Sequence, residues 1–103
     1  MTPQVRGRTV NGATLEPVRD ALVIVSHPRR RGVSASARSN REGEFRVPHA
    51  RGDRMSGGGA SMNIGNVEIT APGFVPYRTE AWTRRETGIR KFDLGTVRLT
   101  PKR

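Results

Sequence analysis

Apolar and polar residues in this chain alternate with a period of two, and glycine or proline interrupts the alternation every few residues. The 103 residues include 12 Gly and 7 Pro, and nowhere do apolar residues recur at three- and four-residue spacing for more than a turn, which excludes a helical fold. Val5, Gly7 and Thr9 fall on one face of a first strand and Arg6 and Arg8 on the other. Asn11-Gly12, residues that tolerate positive φ, then predict a turn. Ala21-Leu22-Val23-Ile24-Val25 is apolar on both faces, as expected of a strand covered on both sides or lying beside a partner surface, and it stops at Ser26-His27-Pro28. Val33, Ala35 and Ala37 alternate with Ser34, Ser36 and Arg38 in a weaker third strand. The segment Ser39 to Gly43 turns into Glu44-Phe45-Arg46-Val47 with Phe45 and Val47 inward, and the two strands read as a hairpin.

Residues 48–61 hold four Gly, three of them consecutive at Gly57 to Gly59. That stretch is too polar to offset its ordering entropy by burial, so a mobile loop is expected. Alternation resumes at Met62, with Ile64, Val67, Ile69 and Ala71 set against Glu68 and Thr70. Pro72-Gly73 turns the chain into an extended stretch from Phe74 to Trp82. A polar connector, 83–90, leads to the last strand at Phe92 to Leu99. Seven short strands with Gly and Pro turns predict an all-β fold, a single antiparallel seven-stranded sandwich occupying residues 1–103 as one domain. Leu22, Val23, Ile24, Phe45, Ile69, Phe74, Val97 and Leu99 are the expected core.

The formal net charge is +10, from 19 bases against 9 acids. All the bases except Lys91 and Lys102 are arginine, which is compatible with an anionic partner and equally with a coding bias toward arginine. Both halves of the chain are basic, and many arginines alternate with core residues, so much of the charge belongs to a solvent face. The densest run is Arg29-Arg30-Arg31 after His27-Pro28, where adjacent guanidiniums could grip phosphate or sulfate. Arg84-Arg85 beside Trp82 is a second, weaker patch. Only five aromatics are present, and Phe45, Phe74 and Phe92 are expected inside, which leaves few platforms for base stacking. The expected partner is therefore a protein or a polyanionic surface, engaged without nucleic-acid sequence specificity.

No cysteine is present, which removes disulfides, thiolate catalysis, iron-sulfur clusters and Cys-based zinc sites. The longest apolar run, Ala21 to Val25, is too short to span a membrane, and Met1 to Val5 lacks the charged and apolar regions of an export signal. A cytosolic protein or the mature form of an exported one both fit. His27 and His49 have no His-x-x-Glu or His-x-His spacing and are expected as exposed loop residues, so no metal, cofactor or catalytic residue is assigned. Gly57 to Gly59 lacks the Lys-Ser/Thr of a phosphate loop. Arg51-Gly52-Asp53 spells an integrin-recognition tripeptide, a match that arises cheaply in a chain rich in Arg and Gly.

The order of the pieces is more specific than any one of them. Val5-x-Gly7-Arg8-x-Val10 is followed by Asn11-Gly12, Glu16-Pro17-Val18 and Asp20-Ala21-x-Val23. Ser39-Asn40-Arg41-Glu42-Gly43-Glu44-Phe45, Ala71-Pro72-Gly73-Phe74 and Leu94-Gly95-Thr96-Val97-x-Leu99 come after. This succession resembles the carboxypeptidase regulatory-like domain over nearly the whole chain. The resemblance implies a transthyretin-like (prealbumin-like), Greek-key β-sandwich and a non-catalytic binding or scaffolding module of the bacterial cell envelope, exported to the periplasm or cell envelope. Asn40-Arg41, where that family commonly has an acidic residue before the glycine, and the long 48–61 segment depart from the pattern. The same fold hosts a hydroxyisourate hydrolase whose cleft uses histidines, an arginine and a carboxyl-terminal Tyr-Arg-Gly-Ser. This chain ends Leu99-Thr100-Pro101-Lys102-Arg103 and carries Tyr77-Arg78-Thr79 mid-chain. A small hydrolase with a His27/His49 site in a dimer cleft is one alternative, and a structural subunit of a larger assembly is another.

Overall fold

A computed structural model of the chain describes residues 3–29, 32–48, 62–84 and 91–102, side chains at 62, 63, 83 and 84 excepted. Within them the regular structure is all strand: β1 (Gln4–Asn11), β2 (Leu22–Ser26), β3 (Ser34–Arg38), β4 (Glu44–Val47), β5 (Met62–Thr70), β6 (Tyr77–Arg84) and β7 (Lys91–Leu99). They form a three-stranded sheet of order β4-β1-β7 and a four-stranded sheet of order β3-β2-β5-β6. The expected two-layer β architecture is thus present.

Alternation decides which side chains meet between the layers. From the smaller sheet come Val5, Phe45, Val47, Val97 and Leu99, and from the larger Val23, Val25, Val67, Ile69 and Ala81, all buried. Ala35, Ala37, Tyr77, Phe92 and Leu94 pack against this cluster, half-buried. Most of the core is valine and alanine, so the one large buried ring needs a gap. Gly7 supplies it: it lies opposite Phe45 in the β1/β4 ladder, and a Cβ there would meet Phe45 Cζ at 2.8 Å.

Several sequence expectations change. The ladders are not all antiparallel, because β1 and β7 run parallel, Gln4 opposite Lys91 and Asn11 opposite Leu99. Antiparallel pairing is demanded only where a tight turn joins neighbours, and β1 and β7 are joined through the whole intervening chain. Nor do β3 and β4 form a hairpin. β3 pairs with β2 and β4 with β1, so residues 39–43 cross from one sheet to the other. Ser39 anchors the crossing: its N–H donates to Ala21 O at 3.0 Å, its Oγ donates to Val18 O at 2.6 Å, and it accepts from Ala21 N at 2.9 Å. Inward alternation at Ala37 and Phe45 is common to a hairpin and to such an arch, which is why the pattern does not separate them.

In β2 the core positions are Val23 and Val25, whereas Leu22 and Ile24 are half-buried on the outer face. Phe74 is likewise half-buried, bridged to Pro101 beside the sheet edge. Ile64 faces outward, 38% exposed, because Gly65 takes the inward position beneath Val25 and Pro3. The turn after β1 also works differently. Asn11 Oδ1 accepts the N–H groups of Ala13 and Thr14 at 2.8 and 3.3 Å. The positive φ angles fall on Leu15 (64°) and Asp20 (58°), not on Asn11 or Gly12. The 48–61 loop, apart from Pro48, lies outside the described residues.

Candidate functional site

Register pairs establish which strand ends share an end of the molecule. Ser26 is opposite Ser34 and Asn66, and Met62 opposite Arg84, so β2 and β6 finish where β3 and β5 begin. Val5 opposite Val47 and Gln4 opposite Lys91 place the start of β1, the end of β4 and the start of β7 together. Pro3, adjoining β1, approaches the Gly65 position of β5, which brings the two sets to the same end. The connections β2–β3, β4–β5 and β6–β7 therefore all depart from and return to one end of the two-sheet stack.

That arrangement gathers what the sequence disperses. Segments 27–33, 48–61 and 84–91 carry nine of the 19 bases and two of the nine acids. The connections at the opposite end, 12–21, 39–43 and 71–76, carry Arg19 and Arg41 against Glu16, Asp20 and Glu42. In sequence, the segments joined at one end are strongly basic and those joined at the other are close to neutral.

Of the residues expected to contact a partner, Arg29 is described and exposed. Its backbone N–H donates to Nδ1 of the half-buried His27 at 3.1 Å, and His27 N–H donates to Val33 O at 2.9 Å, closing the entrance to the β2–β3 connection. Arg84 is the last residue of β6. Arg30, Arg31 and Arg85 lie outside the described residues, as do His49, the Arg51-Gly52-Asp53 tripeptide and Gly57 to Gly59. Among the described residues no three His, Asp or Glu side chains stand together as metal ligands, and no helix is long and apolar enough to cross a membrane.

A second basic region went unrecognised in the sequence. An open groove of about 620 Å³ on the outer face of β4-β1-β7 is lined by Arg6, Arg8, Arg38 and Arg46 together with Asn40, Glu44 and Asp93, over a floor at Gly7 and Gly95. Arg46, Arg6 and Asp93 occupy one row across the three strands, and Glu44, Arg8 and Thr96 the next row on that face. Arg6 Nε donates to Asp93 Oδ2 at 3.2 Å, Arg8 Nε to Glu42 O at 2.9 Å and Arg38 Nη1 to Asp20 O at 3.3 Å. Outward alternation of Arg6, Arg8 and Arg46 was visible in the sequence. What was missing is the β1/β4 pairing that sets them side by side.

The outer face of the larger sheet differs. Around a shallower hollow of about 500 Å³, Ile24, Ser26, Asn66, Glu68, Arg78 and Glu80 mix apolar, neutral and oppositely charged groups, with Arg78 Nε donating to Glu68 Oε2 at 2.8 Å.

No family model matches the chain, and no curated protein matches it. Among solved structures it is similar to a part of the 9R-lipoxygenase from Cyanothece PCC8801, at 14% identity and a TM-score of 0.50. The match covers 95% of this chain and 16% of the lipoxygenase. At that identity the likeness concerns the fold alone.

Proposed function

We propose that the chain is a non-catalytic β-sandwich module that holds an anionic partner, a protein or polyanion surface, through the connections at its basic end. The observation that carries this reading is the shared end of the β2–β3, β4–β5 and β6–β7 connections, with nine bases and two acids in segments 27–33, 48–61 and 84–91. Charge concentrated at one pole steers an anionic partner into a single orientation, which the same charge spread evenly would not do. Arg29, Arg30 and Arg31 are the residues proposed to contact the partner first, with Arg84 and Arg85 as a second, weaker set.

In this reading the module is a carboxypeptidase regulatory-like domain with transthyretin-like, Greek-key topology, serving as an accessory of a cell envelope. The two-sheet all-β architecture supports the assignment, as does the close approach of Gly7 to Phe45 and of Gly43 to Thr9 at two of the motif glycines. His27 is engaged in closing its own loop, an arrangement that gives the hydrolase alternative no added support.

The test is a triple variant, Arg29→Ala, Arg30→Ala and Arg31→Ala, run on an immobilised heparin matrix beside the parent chain. Elution should move to clearly lower salt, because each lost phosphate or sulfate contact reduces the salt slope by about one. The melting temperature should stay within about 2 °C, as expected of exposed substitutions. Unchanged salt elution would overturn the assignment of these three residues.

A further inference from the structure

The groove on the outer face of the smaller sheet has features that edge protection and solubility do not explain. Charged residues are commonly placed on edge strands to discourage pairing with other chains, which would account for Arg46 on β4. It does not account for Arg6 and Arg8, because β1 is the central strand of β4-β1-β7 and has no free edge. Like charges directly opposite one another destabilise a ladder, yet Arg6 stands directly opposite Arg46. Arg46 has no hydrogen-bond or ion-pair partner among the described residues.

The donors are also held in place. Arg6 and Arg8 each use Nε on a fixed acceptor, Asp93 and the Glu42 carbonyl, which leaves their Nη groups for something else. A guanidinium fixed in this way loses less freedom when it binds, and its planar fork suits the oxygens of a phosphate or sulfate. Along β1, Arg6 and Arg8 are two residues apart, about 7 Å, and Arg46 is one strand away, about 5 Å. The groove volume of about 620 Å³ is that of a small-molecule site, and the net charge of its lining is +2, four arginines against Glu44 and Asp93.

We propose that this groove binds an oxyanion with two linked charged centres, one held between Arg46 and Arg6 and the other by Arg8. Such an anion relieves the Arg6/Arg46 repulsion and satisfies guanidinium groups that the fold leaves over. Two linked phosphoryl groups and a single sulfate offer the same tetrahedral oxygens, but the first presents two charged centres to the three arginines. The site shares no residue with segments 27–33, 48–61 and 84–91, so either assignment can fail without the other.

The experiment titrates the full chain with inorganic pyrophosphate, with sodium sulfate, and with sodium chloride at matched ionic strength. Arginine Nε–Hε and backbone amide resonances are followed by NMR. Pyrophosphate is expected to give saturable shifts at Arg6, Arg8, Arg46 and Gly95, with sulfate weaker by at least about tenfold. Arg46→Ala should weaken pyrophosphate about tenfold, the loss of one charge-assisted contact, and Arg8→Gln should do the same while leaving the amide dispersion intact. The Arg29/Arg30/Arg31 alanine variant should bind pyrophosphate within twofold of the parent. Shifts reproduced by chloride, sulfate binding as tight as pyrophosphate, or an unaffected Arg46→Ala chain would each overturn the two-centre site.

Discussion

Gly43→Ala should be among the most damaging single substitutions in this chain, and the reason can be separated into two parts. Gly43 has φ of +79°, a region in which an L residue costs ~1–2 kcal/mol. A Cβ at this position would also run into the carbonyl oxygen of Thr9. That oxygen cannot easily move aside, since Thr9 N–H donates to Gly43 O at 2.8 Å and Val18 N–H donates to Thr9 O at 3.0 Å. Unrelieved overlap in a well-packed place costs a further ~1–3 kcal/mol. Gly73 provides the control, for its φ is +82° and a Cβ there meets nothing within 4 Å. Gly73→Ala carries the first cost without the second, and both variants share the entropy that alanine removes from the unfolded chain. The difference between them therefore isolates the collision. Urea unfolding followed by the fluorescence of Trp82, the sole tryptophan, should place Gly43→Ala ~1–3 kcal/mol below Gly73→Ala. At ~4–8 °C per kcal/mol for a domain of this size, the two melting temperatures should differ by at least about 4 °C. A gap below about 0.5 kcal/mol would refute the claim that a rigid backbone approach, and not φ alone, reserves position 43 for glycine.

Two further outcomes follow from the hydrogen bonds. Ser39→Ala removes the donor to Val18 O and the acceptor for the buried Ala21 N–H, so a loss of ~1–3 kcal/mol is expected, with faster hydrogen exchange at Ala21 as the local signature. Arg78→Ala removes the exposed pair with Glu68, and its cost should stay below ~1 kcal/mol in the same unfolding assay and shrink with added salt.

Face-by-face alternation was the readable part of the fold. Val5 and Thr9 inside with Arg6 and Arg8 outside, Phe45 and Val47 inside with Arg46 outside, and Val67 and Ile69 inside with Glu68 less buried all follow from a period of two. Partner choice was not readable, because alternation says which way a side chain points and nothing about which strand lies alongside. Ala37 and Phe45 point into the same core from opposite sheets, and residues 39–43 between the two strands look like a hairpin turn until Ser39 is seen bonded to Val18 and Ala21. Position 22–25 fails for a related reason. A strand apolar on both faces does not say which face wins, and here Val23 and Val25 take the core while Leu22 and Ile24 take the outer surface.

The same gap between pattern and pairing governs the charge. Along the chain the bases look evenly distributed, and an even distribution is what a solvated outer face requires. Pairing changes this twice over. The three connections that open at one end carry nine bases between them, while pairing β1 with β4 sets Arg6 against Arg46 on the outer face of the smaller sheet. The Arg29-Arg30-Arg31 run supplies three of the nine bases, the other six lie in segments separated from it by whole strands, and Arg46 and Arg6 are forty residues apart. A general coding bias can raise the number of arginines, but it has no means of preferring segments that only the strand order makes neighbours. Selection for an anionic partner does have such a means, which makes the placement of the charge a stronger argument for binding than its amount.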